Sequence, residues 1–246
     1  MPDPINFVLV HGAWHGGWCY ARVRDMLTAR GHRVFTPTLT GLGERSHLMS
    51  RDIDLDTHIA DVVNLIRWEE LDHVVLAGHS YGGWVISGVA EQVPDRLAAI
   101  VFLDAWLPED GESGRERGSE FSRRSIEDAL RTGAISRPGP GAAHFKVMRD
   151  DDRRWVDSKM TEQPVGVALQ PIRLTGARER VPKKAYVLAA DYDSPPFRAY
   201  YEACKADPGW ITYEMPCGHD VMVDMPERLA EILLEAAEAA TPTPRP

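Results

Sequence analysis

A serine bracketed by glycines and a histidine near the far end of the chain have the types and settings for nucleophilic chemistry. Gly78-His79-Ser80-Tyr81-Gly82 is a Gly-x-Ser-x-Gly pentapeptide joining the apolar, β-rich run 73–77 to a helix-patterned stretch over 81–92. A strand that folds straight into a helix needs bare backbone on either side of the turn, which Gly78 and Gly82 supply. Ser80 is then left exposed at the tip. It needs a base to take its proton and donors to receive the oxyanion that forms when it attacks a carbonyl. His219, in Pro216-Cys217-Gly218-His219-Asp220 after the last apolar run, has the setting of that base. His32, His47, His58 and His144 have no comparable setting, and His73 and His79 flank the elbow as supports. The expected oxyanion donors are the backbone amides of Tyr81, just after the nucleophile, and Ala13, in the loop His11-Gly12-Ala13-Trp14-His15-Gly16-Gly17-Trp18 after the first strand. His11 and His15 stand four apart, as metal ligands on a helix do. A glycine-rich loop with no carboxylate between them does not favour zinc, and neither metal nor cofactor is expected.

The acid that would orient His219 is open among three aspartates. Asp104 ends the run after the elbow helix, 24 residues past Ser80, while Asp191 and Asp193 follow the next run, Asp191 lying 28 residues before His219. All three fall at the carboxyl edge of the expected sheet. Composition and spacing do not choose between them.

These residues must be positioned by an α/β frame. Apolar runs at 5–10, 33–35, 73–77, 98–103, 185–190 and 210–213 alternate with helix-patterned stretches at 18–30, 57–68, 81–92, 197–206 and 226–240. The pattern predicts a mostly parallel sheet of about six strands with helices on both faces and ligands beyond the strands' carboxyl ends. It breaks between 106 and 181, a polar segment with helical pieces at 119–131 and 151–160, expected to be a lid inserted between core parts 1–105 and 182–240. Residues 241–246, rich in Pro and Thr, are expected to fray.

With 246 residues, 43% of them hydrophobic, the chain can bury a sizeable core. Its net charge of −9, without a basic stripe, argues against nucleic acid and against an anionic membrane surface. Cys19, Cys204 and Cys217 have neither zinc spacing nor an even count for disulfides. No window reaches the roughly 18 apolar residues of a membrane span, and the N-terminus lacks a basic, apolar leader. A cytoplasmic protein acting on a small molecule is expected, with a homodimer left open.

Taken together, 7–18, the Gly-His-Ser-Tyr-Gly-Gly elbow and Gly218-His219 resemble the α/β-hydrolases grouped with plant methyl-salicylate esterases and hydroxynitrile lyases. The resemblance covers most of the chain outside the lid. It implies the α/β-hydrolase fold, a Ser-His-Asp triad, no metal, and small aromatic or aliphatic esters as substrates. The lyases carry Thr where this chain has Gly12 and Lys where it has Asp220, so lyase activity is not expected. The family's usual acid position favours Asp191, whereas an arrangement like that of the haloalkane dehalogenases favours Asp104. The resulting expectation is a serine esterase, with Trp14, Trp106 and the lid aromatics Phe121, Phe145 and Trp155 lining an apolar pocket. The alternatives are a cofactor-free lyase or oxygenase and a small-molecule receptor on the same fold. A histidine base predicts a rate that rises through a pKa of about 6–7.

Overall fold

Strand β1 (Asn6–Val10) sends alternate side chains into two separate cores. Phe7 and Leu9 join one cluster, Val8 and Val10 the other. The period-two geometry of a strand makes this division, and burial on both faces explains why the run is apolar throughout. The computed structural model describes residues 4–238, so the expected frayed tail at 241–246 lies outside the described residues.

Helix α1 (Ala21–Ala29) leads to β2 (Arg33–Phe35), and α2 (Leu55–Trp68) leads to β3 (Val74–His79). Asp54 begins α2, its carboxylate accepting the Thr57 N–H at 2.9 Å. Next come α3 (Gly82–Gln92) and β4 (Leu97–Leu103). The chain then leaves the sheet for α4 (Gly114–Arg117), α5 (Glu120–Thr132), β5 (Ser136–Arg137), α6 (Asp150–Lys159), β6 (Gln163–Pro164) and α7 (Gly166–Leu169). It returns through β7 (Lys183–Ala189), α8 (Pro195–Ala206), β8 (Trp210–Met215), α9 (Val221–Asp224) and α10 (Pro226–Glu238).

The six long-range strands pair in the order β2-β1-β3-β4-β7-β8, every pair parallel. Helices α1 and α10 cover one face through Val23, Leu27, Leu229 and Leu233. On the other, α2, α3 and α8 contribute Ile59, Val63, Val85, Val89, Phe197 and Tyr201. The excursion between β4 and β7 has a small core of its own, in which Ile126 and Ala129 of α5 meet Val165 and Ala168. Strands β5 and β6 pair antiparallel there, Arg137 opposite Gln163. No helix among the described residues is long and apolar enough to cross a membrane.

All six expected strands are present, their ends shifted by at most two residues. The helix expected over 18–30 is split, because 17–20 wind as a tighter 3₁₀ turn before α1.

Candidate active site

The elbow is built from steric exclusion. Ser80 has φ +52°, in the left-handed region that a non-glycine residue enters only when its surroundings hold it there. Its N–H donates to the Leu103 carbonyl at 3.2 Å. A Cβ on Gly78 would lie 2.7 Å from the Gly82 carbonyl oxygen, and one on Gly82 would lie 2.8 Å from that of Val10. Gly12 presses on the same point from the first loop, where a Cβ would stand 2.7 Å from His79 Nδ1 and 3.0 Å from Ser80 Cβ.

His219 follows β8, its N–H donating to the Phe145 carbonyl at 2.8 Å. Tyr192 and Phe197 stack against the imidazole, with ring centroids at 4.4 and 5.6 Å. Its Nδ1–H donates to Asp104 Oδ2 at 2.6 Å. Asp104 sits just beyond β4 with φ +42°, and its Oδ1 accepts the Ala189 N–H at 3.1 Å. Asp104 is thus the aspartate brought to the histidine, which corrects the alternative placement at Asp191. Asp191 is exposed at the surface, and its main chain bonds Cys217 and the Lys146 ammonium. Asp193 is also exposed, on the cavity wall.

Burial governs the charge of this pair. It lowers the His219 imidazole from its ordinary value to about 3, so the ring rests neutral. It also raises the Asp104 carboxyl well above the usual carboxylate range, with the Ala189 N–H pulling the other way.

Two residues bordering the cavity, Ala13 and Tyr81, follow peptide carbonyls that are held in place. The Ser80 carbonyl accepts from the N–H groups of Gly83 at 3.1 Å and Trp106 at 3.2 Å. In a trans peptide the N–H points opposite to the C=O, so the Tyr81 N–H faces away from both. The Gly12 carbonyl accepts from His11 Nδ1 at 2.8 Å, an assignment fixed because His11 Nε2 takes the Leu39 N–H at 3.0 Å. The Ala13 N–H is aimed away by the same rule. Among the described residues neither amide has a hydrogen-bond acceptor.

Behind the loop lies an ion pair that sequence reasoning missed. His15 Nδ1 meets the Ala13 carbonyl at 2.8 Å and Nε2 meets Asp220 Oδ2 at 3.1 Å. Both partners only accept, so both nitrogens carry protons and His15 is an imidazolium. Burial opposes its charge, but Asp220 and the Ala13 carbonyl prevail and raise the His15 pKa. The carboxyl of Asp220 falls to about 2, its own burial overcome by His15. His79 Nε2 donates to the His219 carbonyl at 2.9 Å, which ties the elbow to the histidine loop. Adjacency of Asp220 to His219 was the available signal, but a side chain next to a site in sequence can point anywhere. His11 and His15, four apart, are both occupied by these bonds, and among the described residues no cluster could hold a metal.

Ser80, His219, Ala13 and Tyr81 open on one cavity of about 720 Å³. Trp14, Trp106, Phe121 and Phe145 line it, as expected from the sequence. Trp155 does not, because it packs on Trp18 and the Arg22 guanidinium instead.

Residues 7–232 match the sequence profile of the alpha/beta hydrolase family. The carbendazim hydrolyzing esterase of a Nocardioides species is 44% identical over 238 residues, covering 93% of this chain and 98% of its own. The pyrethroid hydrolase of Sphingobium wenxiniae is 28% identical, over 95% of this chain and 88% of its own. Among solved structures, an extracellular alpha/beta-hydrolase from a Paenibacillus species has the same fold, with a TM-score of 0.80 at 24% identity over 95% of this chain and 99% of that one.

Proposed function

This chain belongs to the alpha/beta hydrolase family, and on that premise we propose that it cleaves small carboxylic esters through an acyl-enzyme on Ser80. Ser80 Oγ attacks the ester carbonyl while His219 takes its proton at Nε2 and then returns it to the departing alcohol. Asp104 holds Nδ1–H and so keeps Nε2 free as the base. The N–H groups of Ala13 and Tyr81 receive the oxyanion, and a donor of that kind stabilises the transition state by about 2.7–4 kcal/mol. Water, activated by the same imidazole, then releases the acid. Trp14, Trp106, Phe121 and Phe145 provide the apolar wall for the acyl or aryl part, and segment 106–181 serves as the lid that brings Phe121 and Phe145 over it.

The single observation that carries this reading is the 2.6 Å bond from His219 to Asp104, on a histidine that shares its cavity with a strained serine and two uncommitted amides. Hydrolytic relatives support it, the Nocardioides esterase and the Sphingobium hydrolase among them. Gly12 has no room for a larger side chain beside Ser80, and Asp220 is buried against His15, so the side chains on which cyanohydrin cleavage depends are absent.

Exposure to a small fluorophosphonate followed by peptide mass spectrometry tests the proposal. A stoichiometric adduct on Ser80, with ester turnover abolished in step, is the expected result. A folded protein that gives no adduct with a probe small enough to enter would overturn it.

A further inference from the structure

Arg137 is only 5% exposed, yet its Nε and Nη1 have no hydrogen-bond acceptor. Other deeply buried charges do have partners: Asp104 has His219, Asp152 has Arg22, and Asp220 has His15. Among the described residues, no carboxylate pairs with Arg137. A buried cation without a counter-charge is unfavourable unless something else arrives to meet it.

Its place in the fold says where that partner would come from. Arg137 lines the cavity that holds Ser80 and His219. Its guanidinium lies over the Trp14 ring at 4.6 Å, one residue beyond the proposed oxyanion donor Ala13. The ring covers a face of the guanidinium and leaves the edge N–H groups unsatisfied. Gln163 stands opposite Arg137 in the β5–β6 pair, and side chains opposite each other project to the same face. Its Oε1 is taken by the Trp14 N–H at 2.9 Å, and its Nε2, fully buried, has no acceptor either. Two donors without acceptors therefore share one face of the ribbon, and of the two Arg137 borders the cavity. Of the other charges on the cavity wall, Arg117 pairs with Glu112 and Glu120 with Arg124, while Arg123 and Asp193 are exposed, so that water meets their charge and Arg137 is the buried one.

We propose that Arg137 is a specificity-determining residue and that the preferred substrates of this esterase carry a second, anionic oxygen group, a carboxylate, remote from the ester being cleaved. The inference rests on the ester-cleaving reading above. A carboxylate supplies the missing charge and accepts a charge-assisted N–H bond from the guanidinium. A neutral carbonyl would accept a hydrogen bond but leave the cation uncompensated. Burial lowers the Arg137 pKa only to about 10, so the positive charge is present at neutral pH. A purely structural role falls to the main chain, since the Arg137 carbonyl already accepts the Trp14 Nε1–H at 3.3 Å without help from the guanidinium.

The experiment compares matched methyl esters on the full chain: methyl 4-carboxybenzoate against its neutral isostere methyl 4-nitrobenzoate, and monomethyl adipate against methyl hexanoate. The wild type is expected to prefer the carboxylated member of at least one pair by about tenfold or more in kcat/KM. In Arg137→Gln that member should lose about 10²-fold, mainly through KM, while the neutral member stays within about threefold. Arg137→Lys, which keeps charge but not the fork, should fall between. Hydrolysis of the neutral esters with no carboxylate preference in either pair would overturn the assignment and leave the esterase standing, and this arm needs no variant to fold. Equal losses for both members in Arg137→Gln would also overturn it, as a packing role predicts. Should no ester be cleaved, the functional reading fails by itself. Calorimetric binding of terephthalate and adipate then decides the site: affinity lost in Arg137→Gln supports it, and no binding to the wild type refutes it.

Discussion

Asp104→Asn is the substitution whose consequence the hydrogen bonds determine most narrowly. Oδ1 of Asp104 accepts the Ala189 N–H at 3.1 Å, and Oδ2 accepts His219 Nδ1–H at 2.6 Å. An asparagine of the same shape must give its amide oxygen to Ala189, since an N–H cannot accept from another N–H. The NH2 group then occupies the Oδ2 position and donates to His219. Nδ1 is forced to become the acceptor, the ring proton moves to Nε2, and the atom that should take the Ser80 proton already carries one. The loss expected from a reversed tautomer is about 10⁴-fold in kcat, equivalent to about 5.4 kcal/mol of transition-state stabilisation. The fold should survive, because both hydrogen bonds are retained in altered sense. Steady-state hydrolysis of a p-nitrophenyl ester, with circular dichroism and melting of the same samples, measures both halves. Asp191→Asn, changed at the surface, should stay close to wild type. An Asp104→Asn enzyme that keeps a tenth of its activity, or a larger loss in Asp191→Asn, would refute the reasoning.

Burial of His219 sets the pH dependence: the base works when neutral, and lowering its pKa from 6.5 toward about 3 moves the acid limb of kcat/KM below the free-imidazole value, where a profile still rising above pH 6.5 would contradict it. Asp220→Asn removes one partner of a buried pair and should cost about 3–5 kcal/mol of stability in urea titrations. Asp220, depressed to about 2, stabilises the fold above its ordinary value of 3.8, and His15, raised above 6.5, stabilises it until pH rises through that raised value, so the gap between wild type and variant should be widest between pH 3.8 and 6.5 and narrow as pH climbs above 6.5 through the raised value. Gly12→Ala should cost about 1–3 kcal/mol of stability through the overpacking against His79 and Ser80, together with slower fluorophosphonate labelling of Ser80, and an unchanged labelling rate would show that the loop yields freely.

How far the site was legible in the sequence depends on whether a residue's role follows from local chain geometry. Ser80 did, because Gly78 and Gly82 are required wherever a strand turns straight into a helix. The strands did as well, since burial on both faces leaves continuous apolar runs such as Val74–His79. Asp104 and Asp191 could not be separated, for β4 and β7 are neighbours whose carboxyl ends fall at one edge of the sheet. The choice was made by the left-handed turn at Asp104 and the Ala189 N–H, neither of which has a sequence signature. Trp155 was misread because an aromatic in a polar segment suggests a pocket, whereas its partners Trp18 and Arg22 come from far along the chain. The expected rate limb at a pKa of about 6–7 assumed an imidazole open to water, and the rings of Tyr192, Phe197 and Phe145 close around His219 instead. Arg137, one charge in a polar stretch, reads as solvated until β5 is seen paired to β6 over Trp14.

The cavity consequently faces its substrate with unmet donors of two kinds, and they differ in when they act. The Tyr81 and Ala13 amides cannot swing, because each is one end of a planar peptide whose other end is held, by Gly83 and Trp106 in one case and by His11 in the other. Rigid donors favour charge at one point only, and in the proposed reaction that point is where the oxyanion would form, so they would act on the transition state more than on the bound ester. The Arg137 guanidinium, held against the face of the Trp14 ring, would instead meet a group that is already charged before reaction begins. An interaction equal in the bound ester and in the transition state lowers KM and leaves kcat alone. On the proposed reaction, rate would thus fall to main-chain groups fixed by the fold, and selectivity to a side chain of the segment between β4 and β7.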